Sequence, residues 1–365
     1  MRLVIKLGTS TVTGGGAAPD RARLAGVARS LRRLREAGHQ PLLVSSGAVA
    51  AGRALRPDIT AGRHVPHKQM LSALGQPALM ALYTELVAAE GLHVAQILLT
   101  HADVEHRRRY LNARTTLLGL LEAGIVPVVN ENDTLATAEI RVGDNDQLSA
   151  LIAGLVDAPL LVLLTDQDGL FDADPRRNPD ARLITEVSDD PIPDRLWQAA
   201  GGSTGGLGTG GMLTKLRAAE IARRAGTDTV IANGDDPAII ERLLAGAAIG
   251  TRIRAGIAPR EARKRYILAG GRARGAVVVD AGAQTALAAG RSLLVVGITL
   301  AEGEFGRGDT LEVRAPDRRL LARGIANYSA AELPRIAGKR SGDIETVLGY
   351  HYGPEAIHRN DLVLL

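Results

Sequence analysis

The sequence predicts an α/β protein: a three-layer αβα domain around a mostly parallel central sheet, followed by a small, mainly β domain. Three observations carry this. Short, nearly uniformly apolar runs alternate with helix-length stretches through about residue 255, the pattern of parallel strands covered on both faces. From about residue 271 the pattern changes to short strand-like runs separated by Gly/Asp turns. At 365 residues the chain is also long for a single compact core. The expected organisation is a first domain over 1–255, a linker over 256–270 and a second domain over 271–365.

In chain order, the first domain offers strands at 3–6, 41–45, 94–99, 125–130, 160–165 and 229–233, all built mainly from Val, Ile, Leu and Ala. Residues 20–37, 68–90, 107–123, 147–156 and 212–225 read as helices, amphipathic or rich in Ala and Leu. In open sheets of this class, ligands bind beyond the carboxyl ends of the strands. Four such ends carry small, glycine or polar residues: Leu7-Gly8-Thr9-Ser10, Ser45-Ser46-Gly47-Ala48, Asn130-Glu131-Asn132-Asp133-Thr134 and Thr165-Asp166-Gln167-Asp168-Gly169. One shared site at that edge is therefore predicted. In the second domain, 275–279, 292–296, 310–313 and 320–325 read as strands, with 302–309 a turn-rich connection.

Composition narrows the chemistry. Aromatic residues make up only 2%, so the core must be Leu, Val, Ile and Ala. The absence of cysteine excludes disulfides, thiolate catalysis and Cys-ligated zinc. The opening Met1-Arg2-Leu3-Val4-Ile5-Lys6 is too short and charged to be a signal peptide. The most apolar stretch, 151–164, is interrupted by Asp157 and Pro159 and falls short of a membrane span. A soluble, cytoplasmic protein without a membrane partner is expected. The arginine runs at 32–35 and 107–109 read as solvated helix faces.

The stretch GGSTGGLGTGGMLTK at 201–215 contains Gly206-x-Gly208-x-x-Gly211, the spacing of a dinucleotide fingerprint. That fingerprint belongs after the first strand of a βαβ unit, whereas these glycines follow Trp197-Gln198-Ala199-Ala200, which is not strand-like. No Gly-Lys-Ser/Thr occurs, so a Walker A loop is absent. A phosphate function still fits: glycines precede a predicted helix start at Met212, where free N–H groups can face an anion, and Lys215 lies one turn inside. Lys6 leads into a second small-residue loop at Gly8. His64-x-x-His67 lacks a third placed ligand for a metal, and 166–174 lacks EF-hand spacing and its distal Glu.

Lys6-Leu7-Gly8-Thr9-Ser10, Val44-Ser45-Ser46-Gly47-Ala48, Asn130-Glu131-Asn132-Asp133, Gly143-Asp144-Asn145-Asp146 and Thr209-Gly210-Gly211-Met212-Leu213-Thr214-Lys215 together resemble the glutamate 5-kinase family of the amino acid kinase superfamily. Each motif is weak alone; five in family order are specific. The resemblance implies an amino-acid-kinase fold with a PUA-like second domain. It also implies transfer of the ATP γ-phosphoryl group to the γ-carboxylate of L-glutamate, the first step toward proline. A carboxylate is already ionised at neutral pH, so the reaction requires charge neutralisation and alignment without a general base. The resemblance makes Lys6 and Lys215 catalytic, with Asp146 organising them. Asp146 also suits the acidic first turn of a helix. Ser46, Asp133 and Asn145 match substrate-binding positions. Lys6, Gly8, Thr165, Asp166, Thr209, Gly210, Gly211, Met212, Leu213, Thr214 and Lys215 match ATP-binding positions. Position 213 departs from the family's smaller residue, a change expected to be tolerated if the side chain turns inward. Mg²⁺ is expected as the ATP complex, with no dedicated protein metal site. Proline is expected as feedback inhibitor; the stretch 56–68, polar and Gly/Pro-containing between helical stretches, permits a flap near the glutamate site without requiring one. A homo-oligomer, dimer or tetramer, is also expected.

The alternatives are other kinases of the superfamily, such as N-acetylglutamate kinase, aspartokinase or UMP kinase, and an RNA-binding role for the second domain. Ser45-Ser46-Gly47-Ala48-Val49-Ala50-Ala51-Gly52 and the β-rich second domain favour the glutamate enzymes. From residue 271 onward, 12 Lys/Arg stand against 11 Asp/Glu, which is not the electrostatic footprint of a nucleic-acid binder.

Overall fold

The computed structural model describes residues 1–59, 64–136, 144–175, 178–201, 211–236, 238–269 and 273–365. Two compact units result: Met1–Val104 with Ala113–Pro259, and Glu105–Asn112 with Arg260–Leu365.

In the first unit, strands β1 (Arg2–Leu7), β2 (Gln40–Ser45), β3 (Val94–Leu99), β4 (Val126–Glu131), β5 (Leu160–Thr165), β6 (Glu186–Val187), β7 (Asp228–Asn233) and β8 (Thr251–Ile253) form one sheet. Their order is β3-β4-β2-β1-β5-β7-β8-β6. All neighbours are parallel except β7 and β8. The apolar runs at 94–99 and 160–165 coincide with β3 and β5. The short β6 and β8 had no sequence signal, because two or three residues cannot display a period.

The helices are α1 (Thr9–Thr13), α2 (Arg21–Glu36), α3 (Ala48–Leu55), α4 (Val65–Ala88), α5 (His101–Glu105), α6 (Arg107–Glu122), α7 (Asp144–Leu155), α8 (Asp194–Ala199), α9 (Met212–Arg224) and α10 (Ile239–Leu244). Strand side chains alternate between faces. Leu3, Ile5, Leu7 and Leu164 pack with α2, α4 and α10. On the other face α7 lies against β1, β2, β4 and β5, and α9 lies against α7 and β7. Lys6, one residue from both Ile5 and Leu7, therefore points toward α7. Asp20 starts α2 by accepting the N–H groups of Ala22 and Arg23. His64 starts α4 the same way, its Nδ1 accepting the His67 N–H at 3.3 Å, so this histidine has a local structural role. Of the stretch 56–68, where the sequence permits a flap, residues 60–63 lie outside the described residues.

Helices α3 and α4 cross with their backbones in contact. A Cβ on Gly52 would lie 1.9 Å from the Leu71 carbonyl oxygen, and one on Gly75 would lie 1.9 Å from that of Ala48. Neither backbone atom can move without its helix. Gly75→Ala is expected to cost at least ~1–3 kcal/mol, the usual penalty of overpacking, and to lower Tm by roughly 2–12 °C for a unit of this size. An unchanged thermal unfolding midpoint would show that the helices are free to separate.

The second unit begins with helix α11 (Pro259–Ala269), which occupies most of the stretch read as a linker. Strands β9 (Gly275–Val279), β10 (Leu293–Leu294), β11 (Ile298–Gly303), β12 (Thr310–Arg314), β13 (Leu320–Ile325), β14 (Glu355–Ile357) and β15 (Leu362–Leu364) follow. They make a five-stranded sheet, β11-β9-β12-β13-β15, and a β10-β14 pair. Its core includes Val277, Val279, Leu311, Val313 and Tyr328. The expected strand at 292–296 is only Leu293–Leu294 followed by a 3₁₀ turn at Val295–Gly297.

Two of the aromatic side chains that a nucleic-acid surface would need are spent on this core. Phe305 and Tyr328 are buried, and the Arg307 guanidinium covers the Tyr352 ring at 3.8 Å. The first turns of α6 belong to this unit, where Arg107 pairs with Asp309 at 3.2 Å. That arginine run is thus more than a solvated face.

Candidate active site

The four polar strand ends come together because β4, β2, β1 and β5 are consecutive in the sheet. The register sets Leu7 beside Ser45 on one side and Leu164 on the other. The chain runs from β1 outward through β2 and then returns to β1's other side at β5, so β1 borders the switch point where ligands bind in such sheets. Gly8 follows β1 and precedes α1; a Cβ there would stand 3.7 Å from Lys6 Nζ. Gly47 joins β2 to α3 at φ +107°, and a Cβ there would meet Val12 Cγ1 at 2.8 Å. Glycine is thus required on both steric and conformational grounds.

Lys6, Asp146, Thr214 and Lys215 converge below this edge. Lys6 Nζ lies 2.7 Å from Asp146 Oδ1, and Lys215 Nζ lies 3.4 Å from Oδ2. The Thr214 hydroxyl donates to Oδ2 at 2.7 Å. Asp146 is fully buried and both lysines are 5% exposed. Burial pushes the Asp146 carboxyl up, but the Lys6 and Lys215 charges, with hydrogen bonds from Lys6 and Thr214, outweigh it and hold the group below its ordinary value. Burial lowers Lys215, Asp146 opposes the change, and the neighbouring Lys6 charge adds to it. Two ammonium groups against one carboxylate leave a buried site one positive charge in excess. Such an excess is costly unless an anion completes it.

The second cluster is built from amides. Asn145 Nδ2 donates to Ser46 Oγ at 3.1 Å and to Asn130 Oδ1 at 3.0 Å. Asn130 in turn donates to Gln76 Oε1 at 2.8 Å. Asp133 accepts from the Ser72 hydroxyl at 2.5 Å. Burial raises the Asp133 carboxyl; the Ser72 hydrogen bond opposes this, and the nearby Glu131 charge adds to it. Glu131 is itself buried, with Oε2 3.6 Å from His101 Nδ1. Asp133 is half-buried and open to a ligand, as are Ser46 and Asn145.

Of the positions expected at ATP, Thr165 ends β5 and its hydroxyl donates to the exposed Asp166 at 3.0 Å. Gly211 precedes α9, Met212 and Leu213 are half-buried in its first turn, and Thr214 and Lys215 are buried. Thr209 and Gly210 lie outside the described residues. The residues that sequence reasoning missed are Ser72 and Gln76. Both are buried on α4, four apart and therefore on one face. Two polar residues at that spacing in the otherwise apolar middle of the helix, 70–82, were the available signal. Among the described residues, no group of three or more His, Asp or Glu is arranged to hold a metal ion. No helix among them is long and apolar enough to cross a membrane.

The amino acid kinase family model matches residues 1–233, and the PUA domain model matches residues 275–348. A glutamate 5-kinase of Shewanella amazonensis is 53% identical over 100% of this chain and 96% of its own length. Glutamate 5-kinases of Shewanella pealeana and Herpetosiphon aurantiacus are 51% and 50% identical, each over 100% of this chain and 98% of their own length. A UMP kinase structure from Bacillus anthracis overlaps with a TM-score of 0.49 at 16% identity, covering 70% of this chain and 96% of that one.

Proposed function

Because the chain belongs to the amino acid kinase family, and within it to the glutamate 5-kinases, we propose that it transfers the γ-phosphoryl group of ATP to the γ-carboxylate of L-glutamate. The product is L-glutamyl 5-phosphate, and the reaction is the first step of proline biosynthesis. The observation that carries this reading is the buried pair Lys6 and Lys215 on the single carboxylate of Asp146. The surplus positive charge suits a phosphoryl group whose oxygens carry the transition-state charge.

Lys6 and Lys215 take the transferring phosphoryl oxygens, while Asp146 fixes their positions. Because Asp146 is held by both lysines, it is not available as a base. None is needed, since the attacking carboxylate is ionised at neutral pH. ATP arrives as its Mg²⁺ complex, with the cation held on the phosphates. Thr165, Asp166 and the start of α9 hold the nucleotide, with Gly8, Thr209 and Gly210 assigned to its phosphates. Asp133 takes the glutamate ammonium, which needs an acceptor-only partner. Ser46 and Asn145 take a carboxylate. The family relationship supports proline as feedback inhibitor, a dimeric or tetrameric assembly and a cytoplasmic setting.

ATP-dependent hydroxamate formation tests the reaction, because hydroxylamine traps an acyl phosphate. Signal is expected with L-glutamate and to fall on adding proline; signal only with N-acetylglutamate, aspartate or UMP as acceptor would overturn the reading. Asp133→Ala is expected to raise the glutamate KM about tenfold or more, the worth of one charge-assisted hydrogen bond, with the ATP KM little changed. Because burial raises the Asp133 carboxyl, acidification should neutralise it at a higher pH than a solvated aspartate. The wild-type glutamate KM should therefore climb as pH falls, and this climb should be absent in Asp133→Asn. Equal rises in both KM values would remove Asp133 from the glutamate site.

A further inference from the structure

On the sheet face opposite the lysine pair, a cavity of about 300 Å³ opens between α2, α10 and the turn after β7. That volume is at the lower end for small-molecule pockets. Its walls are mostly apolar, with Val27, Leu164, Ile239 and Ile240 among the lining residues. At its floor stands Thr11, 7% exposed, whose hydroxyl has no hydrogen-bond partner among the described residues. A buried hydroxyl left unpaired is costly, and this one borders a space large enough to supply a partner. Gly234 leaves that floor open: a Cβ there would come within 2.8 Å of Thr11 Cγ2.

The charged groups around the cavity cancel in pairs, with one exception. Arg23 is held by Asp235 at 2.5 Å, and Asp236 is held by Arg242 at 2.7 Å. Arg29 lines the cavity and forms no ion pair among the described residues. The pocket therefore offers apolar walls, two hydroxyls, of which Ser30 is taken by Glu241 at 2.8 Å and Thr11 at the floor has no partner, and at its exposed side the Arg29 guanidinium without an ion pair. A guanidinium presents a planar fork of N–H donors that matches a carboxylate.

We propose that this cavity is a second ligand site, separate from the active site, which takes a small organic carboxylate with a compact apolar body. The body fills the space between α2 and α10, the carboxylate meets Arg29, and Thr11 hydrogen-bonds to the inner end of the ligand or to a water that it traps. None of the lining residues is among those assigned to glutamate or ATP. Thr11 nevertheless lies on α1, which follows directly from Gly8. An occupant would thus rest against the helix that leads out of the phosphate loop.

The test uses the full chain and 4-fluorobenzoate, followed by ¹⁹F NMR with and without saturating L-glutamate and a non-hydrolysable ATP analogue with Mg²⁺. Saturable binding is expected, with a Kd that changes less than about twofold when the substrates are present, as independent sites require. Arg29→Ala, and in a separate experiment the neutral 4-fluorobenzamide, should each weaken binding about tenfold for the loss of one charge-assisted contact. Thr11→Val should weaken it by a smaller factor. Arg29 is exposed, so Arg29→Ala should fold and keep its basal kcat. No saturable binding up to roughly 10 mM, corresponding to an interaction weaker than the millimolar range, would overturn the proposal. So would displacement by the substrates, or unchanged affinity in Arg29→Ala.

Discussion

Lys215→Ala is expected to lower kcat about 10²–10³-fold, the usual effect of deleting one donor that stabilises transition-state charge. The glutamate KM should move far less, because Ser46, Asp133 and Asn145 form a separate cluster. Lys6→Ala should behave in the same way. Steady-state hydroxamate kinetics measure both, and near-normal turnover in either variant would remove that lysine from the chemistry.

The Lys215 ammonium also carries a pH signature. Burial, with the Lys6 charge, holds it below the ordinary lysine value despite Asp146. As pH rises through that lowered value the ammonium of the free protein loses its charge, so kcat/KM should begin to fall at a pH below about 10.4, where a free lysine would titrate. Stability should respond in the opposite direction. Between the folded and unfolded pKa values the unfolded state binds more protons, so this group's contribution to stability rises with pH. Falling activity alongside rising stability would distinguish Lys215 titration from simple alkaline unfolding.

The second large effect is expected at Asp146. Asp146→Ala would leave two buried ammonium groups without their shared partner, a change that costs ~3–5 kcal/mol in comparable buried pairs. Thermal unfolding should show the loss, and nucleotide should restore more stability to the variant than to the wild type, because its phosphates supply the missing negative charge. In the wild type the Asp146 carboxyl sits below its ordinary value. Its stabilising contribution is therefore complete above about pH 3.9, the unfolded value, and is lost as pH falls through the lower folded value. An Asp146→Ala variant as stable as the wild type would mean that the lysines are already balanced by other groups.

The parts of this protein that could be read from sequence are those encoded locally. The strand β5 was visible to the residue because all six positions are buried and all but the last are apolar, whereas β3, at the sheet edge with Gln96 exposed, was visible from the Val, Ile and Leu around that residue. The edge carrying the site was visible because β1, β2, β4 and β5 all end in small or polar residues. The short strands β6, β8, β14 and β15 were not visible, since two or three residues paired by distant partners carry no periodicity of their own. Ser72 and Gln76 were missed for a related reason. A polar side chain on the buried face of a helix is explained only by its partner, and those partners, Asp133 and Asn130, lie on and just beyond β4. Helix α11 was read as a linker because its apolar positions are few; Ile267 and the Arg263–Asp361 ion pair at 2.6 Å fasten it within the second unit.

The contact of Gly52 and Gly75 has a further consequence. Ser46 immediately precedes the Gly47-Ala48 start of α3, while Ser72 and Gln76 flank Gly75 on α4. The two walls that carry Ser46 on one side and Ser72 and Gln76 on the other are thus spaced by bare backbone, with no side chain between them as a shim. A single methyl at the crossing would wedge the walls apart by an amount comparable to a carbon–carbon bond. Such a step is the difference between neighbouring homologues in a series of dicarboxylic amino acids. If these walls hold the substrate as proposed, two missing side chains act as the molecule's length gauge.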